Sequence, residues 1–381
     1  MKRPIIQRGA NDLLYAETGQ CYVDLFSAHG AVFLGHAEPS IARAIAQQLE
    51  RIWLAGGLDT PLTSVARSAV ESFFPGDFAL AGLYSTGMEA AELALRFARV
   101  TTGRRGVIGY ENSMHGKSMA TAFLGWDNHD GLHLPDVHRL PFLQRHSEAE
   151  VLQETQAVLA AGSTGALFIE PIQGSAGALA GTPQFYREIG RLARQYDALL
   201  VVDEILTGFH RTGPAFCFMD LGLEPDVVLI GKTIGNGFPV SGVVANRRHP
   251  LRTEMLPGST YAGNALACAA VAASLERLRA LDVVSSVEQI EETIEKHLGP
   301  LRSHTCKVRG KGAMWMVELA TLQQAQDAAF AIYQAGVCIG IAGRYLRLLP
   351  AATIEPANLE RACGVVAHQI ADIAARTHAG G

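Results

Sequence analysis

The sequence has no paired cysteines, no long apolar run and no strong charge bias, and each absence argues against a class of protein. Its six cysteines are scattered and never form C-x-x-C, so neither a disulfide framework nor a metal site is expected, and a reducing cytoplasm is the expected setting. The N-terminus lacks the apolar core of a signal peptide, and no apolar run reaches membrane-spanning length. A net charge of −5 gives no reason to expect nucleic acid or an anionic membrane as a partner.

What is present is an ordinary globular composition, with 48% apolar residues in a chain of 381. That length suits one large domain plus a smaller one. Between about residues 78 and 245, short apolar strands alternate with helical segments, which predicts a doubly wound, mostly parallel sheet. In such a sheet the carboxyl ends of the strands share one edge, where ligands bind.

Outside that region the pattern is less regular. Residues 9–28 predict a small two-stranded meander, and a helix is expected to begin at Pro39. Residues 127–150 are polar and typical of a loop, whereas residues 308–318 predict a strand of the smaller domain. Near the end, Arg347 stands inside an apolar strand, where an arginine favours a carboxylate as its partner.

Lys232 follows the apolar run 226–230 and precedes the glycine-rich turn Gly235-Asn236-Gly237. One interpretation is a solvated loop lysine. A second is a phosphate-binding loop, because Gly231-Lys232-Thr233 resembles the end of G-x-x-x-x-G-K-[ST], but that motif needs glycine where Asp226 stands. The third is an imine-forming lysine, which a desolvated position at a strand end favours.

Two further groups follow predicted strands. Gly87 opens a helix after the segment 78–84, and a helix N-terminus binds phosphate, although Thr86 could simply be an N-cap. Asp203 ends the apolar strand 199–202, where a carboxylate needs a cation such as a protonated pyridine, or else serves as a turn cap. The sequence therefore predicts that a phosphate-binding helix N-terminus at Gly87, the carboxylate of Asp203 and Lys232 lie at one edge of the sheet.

As a set, these residues resemble the class III aminotransferases, pyridoxal-phosphate enzymes of fold type I that include ornithine, acetylornithine and ω-amino-acid transaminases. The similarity extends from about Gly9 to Glu360, and its most specific block runs from Asp203-Glu204 to Lys232. It implies an α/β fold with a large domain, residues 51–280, that binds pyridoxal 5'-phosphate on a mostly parallel, doubly wound sheet. A smaller α+β domain would be built from both chain ends, residues 1–50 and 281–381.

The resemblance also implies a role for each matching residue. Lys232 would form the internal aldimine and later move a proton, and Asp203 would pair with the pyridinium nitrogen. The enzyme would be a homodimer whose subunits share each phosphate site, and Arg347 would receive the carboxylate of the substrate. The implied cofactor site consists of Thr86, Gly87, Met88, Met114, His115, Glu170, Asp203, Ile205, Leu206, Lys232, Ser259 and Thr260, of which Ser259 and Thr260 come from the neighbouring subunit.

Three positions depart from the family pattern. Met114 stands where the family usually stacks an aromatic ring on the cofactor, and Leu206 stands where many members have glutamine. Ser175 replaces the glutamate that neutralises the carboxylate-binding arginine in ω-amino-acid transaminases. The last departure predicts that Arg347 stays an open cation and that both substrates carry an anionic group.

The expected function is transfer of an amino group from an amino acid or ω-amine donor to an oxo acid. An amino-acid epimerase, racemase or aminomutase with the same cofactor is the alternative, since Lys232, Asp203 and the phosphate residues do not separate these outcomes. Arg347 argues against an aminomutase but not against an epimerase. A nucleoside-triphosphate-binding module built on Gly231-Lys232-Thr233 is a third hypothesis.

His115, taken by itself, is typical of a histidine in a turn.

Overall fold

The computed structural model of the chain describes residues 4–126, 134–252 and 255–379. The described part contains fifteen strands. They are β1 (Ile6–Ala10), β2 (Leu13–Ala16), β3 (Cys21–Asp24), β4 (Phe78–Tyr84), β5 (Gly106–Tyr110), β6 (Val137–Leu140), β7 (Thr164–Ile169), β8 (Leu199–Asp203), β9 (Val227–Ile230), β10 (Ser241–Asn246), β11 (Cys306–Lys311), β12 (Met314–Leu319), β13 (Val337–Cys338), β14 (Gly340–Ala342) and β15 (Tyr345–Leu348).

The helices connect and cover these strands. They are Pro39–Leu49, Pro61–Glu71, Gly87–Thr102, Met119–Phe123, Glu148–Ala160, Pro183–Gln195, Cys217–Leu221, Ala265–Ala280, Val283–Leu298, Leu322–Gln334 and Pro356–Ala379, with single 3₁₀ turns at Lys232–Ile234 and Gly299–Leu301. No helix in the described ranges is long and apolar enough to cross a membrane. The contacts divide the chain into a larger unit, residues 43–209 and 214–276, and a smaller unit, residues 1–42, 210–213 and 277–381.

The larger unit is built on a seven-stranded sheet in the order β4-β10-β9-β8-β7-β5-β6. The pairs within β5–β9 are parallel, and β10 alone runs antiparallel to its neighbours β4 and β9. Strands β7, β8 and β9 are buried throughout, which is typical of a parallel sheet covered on both faces. The α/β fold with a mostly parallel sheet is thereby confirmed.

The helix Gly87–Thr102 follows β4 and packs against this sheet. It begins at the N-cap Thr86 and ends at Gly103, whose φ of 68° closes the helix in the left-handed conformation that glycine adopts without strain. Its buried face is rich in alanine, with Ala90, Ala91 and Ala94 fully buried. Small side chains let the helix axis approach the sheet. Its N-terminus lies at the carboxyl end of β4 because the helix begins at Gly87, shortly after β4 ends at Tyr84.

The smaller unit contains two four-stranded sheets, ordered β1-β2-β3-β13 and β11-β12-β15-β14. Strand β15 carries Arg347 and pairs with strands on both sides, so that Arg347 faces Met316 on β12 and Gly340 on β14. The helices Val283–Leu298 and Leu322–Gln334 both pack against the helix Pro356–Ala379.

Three sequence-based expectations were wrong in detail. Residues 9–28 were expected to form two strands, but they contain parts of three, which β13 extends from the far end of the chain. Residues 308–318 form a hairpin rather than one strand, because Gly312 turns the chain with a φ of 58°. The predicted loop 127–150 contains β6 and the start of the helix Glu148–Ala160, while its residues 127–133 lie outside the described part.

Candidate active site

The carboxyl ends of four strands meet at one edge of the larger sheet. Strands β4, β7, β8 and β9 run in the same direction, because β10 is antiparallel to both β4 and β9. Asp203 is the last residue of β8 and lies beside Leu229 of β9, three residues before Lys232. The predicted gathering of the site residues at this edge is therefore what the topology produces. The residues at or just after these strand ends are Thr86, Gly87, Met88, Glu170, Asp203, Ile205, Leu206 and Lys232.

Asp203 is buried and pairs with His115. The Nδ1 atom of His115 lies 2.8 Å from Oδ2 of Asp203, while Oδ1 of Asp203 accepts a hydrogen bond from the Ile205 N–H at 3.1 Å. Burial lowers the pKa of His115, but the hydrogen bond and charge of Asp203, with the charge of Glu170, outweigh it and raise the pKa. Among the described residues, the buried Nε2 atom of His115 has no hydrogen-bond partner. His115 is therefore more than a turn histidine.

Glu170 holds the loop that carries Met114 and His115. Its Oε1 accepts from the Met114 N–H at 2.7 Å, and its Oε2 accepts from the Gly174 N–H at 3.0 Å. Burial, together with the charge of Asp203, raises the pKa of Glu170 against the opposing effects of His115 and the two backbone N–H groups. Two buried carboxyl groups thus lie near one imidazole, and this arrangement favours a further cation.

Ile205 lies between the helix N-terminus and the turn that carries Lys232. A Cβ atom on Gly87 would approach Cδ1 of Ile205 to 2.7 Å, and one on Gly231 would approach its Cγ2 to 3.2 Å. Both glycines are therefore needed for this packing. The half-buried Ile205 side chain provides an apolar surface at the strand edge, next to Asp203.

The N-terminus of the helix Gly87–Thr102 has the features of an anion site and of a capped helix. The Oγ1 atom of Thr86 accepts from the Glu89 N–H at 3.2 Å, so Thr86 is an N-cap, as the simpler interpretation expected. A cap of this kind does not exclude an anion at the same helix end. Gly87 and Met88 occupy the first turn, where backbone N–H groups have no acceptor within the helix. Met88 is 38% exposed, so its backbone rather than its side chain suits an anion.

Lys232 opens a 3₁₀ turn that is separated from the end of β9 by one residue, and it is half-buried. Its φ of 45° is unusual for a residue other than glycine, and such strain concentrates at functional positions. The turn requires glycine at position 235, because a Cβ atom there would lie only 2.3 Å from the Phe238 carbonyl oxygen. Residues 227–230, which a phosphate-binding loop would occupy, form a buried strand instead, and Asp226 pairs with Arg248, so the phosphate-loop interpretation is wrong.

The remaining predicted residues lie in different settings. Leu206 is buried, and Met114 is half-buried beside His115. Ser259 and Thr260 lie in an exposed turn of the larger unit. Arg347 belongs to the smaller unit and is 9% exposed.

Sequence reasoning missed several buried charged residues, among them Arg211 and Glu204. Arg211 is fully buried and donates to the carbonyl oxygens of Pro350 at 2.8 Å and Gly30 at 2.7 Å, and burial lowers its pKa to about 9. Glu204 accepts hydrogen bonds from the Thr207 hydroxyl and the Phe218 N–H. The available signal for Glu204 was its position beside Asp203 at the end of an apolar strand.

Glu204 should make stability depend on pH. Burial raises its pKa from an ordinary 4.5 to about 7, so the folded state binds the proton more tightly than the unfolded state. The contribution of Glu204 to the free energy of unfolding is then fully present below pH 4.5 and is lost as the pH rises through about 7, a fall of at most about 3 kcal/mol. We expect Glu204→Gln to remove this fall, because a glutamine oxygen can accept from Phe218 while its amide donates to the Thr207 hydroxyl.

The check is the denaturation midpoint of both proteins at about pH 5.5 and about pH 7.5. Other titrating groups contribute equally to both proteins, so the difference between their pH slopes isolates Glu204. Identical slopes would contradict the assigned pKa.

Comparison with known proteins gives the family. The model of the family "Aminotransferase class-III" matches residues 2–370. Acetylornithine aminotransferase of Methanothermobacter thermautotrophicus is 31% identical, covering 98% of this chain and 95% of the relative. LysW-aminoadipate semialdehyde/glutamate semialdehyde transaminase of Sulfolobus acidocaldarius is 30% identical, covering 95% and 93% respectively. Ornithine aminotransferase of Toxoplasma gondii has a similar solved structure, with a TM-score of 0.88 at 23% identity over 98% of this chain and 90% of that one.

The chain belongs to the class III aminotransferase family. It is an aminotransferase of fold type I that uses pyridoxal 5'-phosphate and moves an amino group between an amine donor and an oxo-acid acceptor. The relatives lend no support to the racemase, epimerase or aminomutase alternative.

The residues at the sheet edge fit this cofactor. A carboxylate has about four lone-pair directions, and the contacts of Asp203 described above use two of them, so it can accept from a pyridinium nitrogen as well. The buried acids Asp203 and Glu170 favour such a cation, Ile205 offers an apolar face for a ring, and the helix N-terminus at Gly87 suits a phosphate.

Proposed function

We propose that Lys232 and Asp203 are the catalytic residues of this aminotransferase, and that Arg347 selects donors and acceptors that carry a carboxylate. The observation that supports this most is the convergence of Asp203, Ile205 and Lys232 at adjacent strand ends, with His115 fixed against Asp203 at 2.8 Å. The cofactor, when bound, supplies the electron sink that allows a C–H bond of the donor to break.

The roles of the chain's own groups follow from their settings. The Nζ atom of Lys232 would hold the cofactor covalently and then, once the donor has displaced it, take the proton from the donor carbon and return it. The carboxylate of Asp203 would bind the pyridinium, and His115 would orient that carboxylate through Nδ1. Thr86, Gly87 and Met88 would bind the phosphate, and Ile205, Leu206 and Met114 would contact the ring.

Arg347 is proposed to receive a substrate carboxylate. Its guanidinium is nearly buried on a strand with neighbours on both sides, which limits its freedom and suits bidentate recognition. Relatives named for acetylornithine and for aminoadipate semialdehyde or glutamate semialdehyde act on compounds of this kind. We therefore infer that the donor and the acceptor both present an anionic group to Arg347.

Replacing Arg347 with glutamine should separate donors by charge. We expect KM for a carboxylate-bearing amino acid to rise about 10- to 100-fold, because a charge-assisted hydrogen-bond pair is lost, while KM for a carboxylate-free amine changes little. Arg344→Gln is the matched control, since Arg344 is a neighbouring arginine that pairs with Glu318. Turnover of both donor classes that stays equally intact in Arg347→Gln would contradict the proposal.

We also propose a homodimer with shared sites. The segment 49–58 of the larger unit exposes Leu49, Ile52, Trp53, Leu54 and Leu58, and Leu58 is 77% exposed. Clustered exposed apolar side chains mark interaction surfaces. The exposed hydroxyls of Ser259 and Thr260 would complete the phosphate site of the partner. A reducing cytoplasm remains the proposed setting, and it is consistent with six cysteines that form no disulfide bond.

Replacing Leu58 with aspartate should weaken the dimer by about 100-fold or more, because a large apolar contact is lost and a charge must be desolvated. Analytical ultracentrifugation measures the dissociation constant directly. Because each phosphate site needs hydroxyls from the partner, the dissociated variant should also lose cofactor on desalting. Leu322→Asp, at an exposed leucine of the smaller unit, is the control that should stay dimeric. A wild-type protein that sediments as a monomer would contradict the proposal.

A further inference from the structure

The smaller unit contains a left-handed turn built without glycine at three of its four positions. Ser27, Ala28 and His29 have φ angles of 46°, 49° and 62°, and Gly30 completes the turn at 78°. The left-handed conformation brings Cβ close to the following carbonyl oxygen, so residues other than glycine rarely adopt it, and seldom in succession. Strain of this kind persists only where the surrounding structure holds it, and it concentrates at functional sites.

Buried charged groups hold both ends of this turn. At its start, Oδ1 of Asp24 accepts from the N–H groups of Phe26 at 2.8 Å and Ser27 at 3.0 Å. At its end, the guanidinium of Arg211 donates to the Gly30 carbonyl oxygen at 2.7 Å. Asp24 is 2% exposed and Arg211 is fully buried, so neither contact is in competition with water. The conformation of the turn is therefore imposed by the core of the smaller unit.

The turn presents His29 to Arg347. The Nδ1 atom of His29 lies 3.5 Å from an Nη atom of Arg347, and the ring of Phe26 contacts both side chains, at 4.4 Å from the imidazole centroid and 5.9 Å from the guanidinium carbon. Phe26 is itself fixed, because its ring packs on Gly340, where a Cβ atom would lie 2.2 Å away. Two nitrogen-bearing side chains from distant parts of the sequence are thus placed side by side.

The chemistry of the pair determines the protonation of the imidazole. A guanidinium only donates, so Nδ1 of His29 accepts while it faces Arg347. A carboxylate oxygen only accepts, so the ring proton moves to Nδ1 and this nitrogen donates when a ligand oxygen takes the place of the guanidinium. At 3.5 Å the contact is at the outer limit of a hydrogen bond, so a ligand oxygen can replace it at small cost. His29 is exposed and, with Phe26, lines a groove of about 1080 Å³, so a ligand can reach it.

We propose that His29 and Arg347 form one anion-binding subsite, in which the guanidinium and the imidazole N–H bind the oxygens of a substrate carboxylate. This rests on the role proposed above for Arg347 and adds a residue that determines specificity. A carboxylate partner, such as the glutamate that Ser175 replaces, would neutralise the arginine. The imidazole of His29 adds no negative charge beside the guanidinium, so His29 favours anionic substrates.

The test is binding of glutarate, a dicarboxylate without an amino group, to the holoprotein by titration calorimetry, with the neutral diamide glutaramide as the uncharged reference. We expect His29→Asn to weaken glutarate binding about 5- to 10-fold, the effect of one hydrogen bond, and Arg347→Gln to weaken it about 100-fold. Asparagine tolerates the left-handed conformation, so the turn survives, and His29→Gly should show the same loss. Glutaramide binding should not change.

Ala28→Gly is the matched control, because it relieves strain at the neighbouring position and leaves the imidazole in place. Its affinity for glutarate should equal that of the wild type. If glutarate affinity falls in Arg347→Gln but not in His29→Asn, the role of His29 is overturned, while the role proposed for Arg347 stands. If glutarate affinity falls as much in Ala28→Gly as in His29→Asn, the effect comes from the backbone of the turn, and the role of the His29 side chain is overturned. If glutarate does not bind, or binds equally to every variant, the proposed role of Arg347 fails as well.

Discussion

Replacing Lys232 with alanine should lower turnover by about 10⁴-fold or more, because the variant loses both the covalent anchor of the cofactor and the group that moves the proton. The protein should still fold, since Lys232 is half-buried on a turn whose shape depends on Gly235. Cofactor should remain bound through the helix N-terminus and Asp203, with the absorbance of the free aldehyde. Turnover is measured with a coupled assay, and retention by the spectrum after desalting.

Two variants sharpen this test. Lys232→Arg keeps the positive charge and the length but cannot lose its proton near neutral pH, so its turnover should fall as far as that of Lys232→Ala. Lys307→Ala removes an exposed lysine of the smaller unit and should leave turnover unchanged. Normal turnover in Lys232→Ala would remove Lys232 from the mechanism.

Replacing Asp203 with asparagine should lower turnover about 100- to 1,000-fold, the range found when one preorganised electrostatic contact at a reacting centre is removed. An asparagine oxygen can still accept from the Ile205 N–H, so the local fold should be kept. The lost charge would no longer stabilise the pyridinium nitrogen, and the cofactor should also dissociate faster. Steady-state turnover and the rate of cofactor loss are the two measurements.

Glu204→Gln is the matched control for Asp203→Asn, because the same chemical change is made in the next buried residue of the chain. Glu204 bonds to Thr207 and Phe218 rather than to the residues of the site, so its turnover should stay within about twofold of the wild type. An equal loss in both variants would show that Asp203→Asn acts through stability and not through the cofactor.

The residues at the sheet edge were predictable because the strands that carry them have an unambiguous pattern. The runs that became β8 and β9 are short, apolar and rich in β-branched residues, so their ends could be located to within a residue. Parallel topology then places Asp203 and Lys232 at one edge without further information. The resemblance to the aminotransferase family assigned roles to residues whose types alone are common.

The missed strands are those in which local pattern is weak. Strand β6 contains His138 and Arg139, both half-buried, because it lies at an edge of the sheet where polar side chains reach solvent. Strand β13 is two residues long and exists only through pairing with β3, more than 300 positions earlier in the sequence. Both strands depend on where they lie in the sheet and not on their own residues, so a short stretch of sequence does not predict either of them.

The contacts that organise the site are also non-local. His115 and Asp203 are 88 positions apart, and His29 and Arg347 are 318 positions apart. The turn that presents His29 contains Ser-Ala-His, residues that do not predict positive φ angles. The buried side chains of Asp24 and Arg211 hold that conformation, and the fold determines which backbone groups they contact.

The most direct test of the central proposal is to reduce the holoprotein with borohydride, which makes the bond between cofactor and lysine permanent, and to map the modified peptide by mass spectrometry. The chain contains six lysines, at positions 2, 117, 232, 296, 307 and 311, so the assignment is unambiguous. We predict a single cofactor-sized mass increase on the peptide that contains Lys232. An increase on any other lysine, or on none, would contradict the assignment of Lys232 as the residue that holds the cofactor.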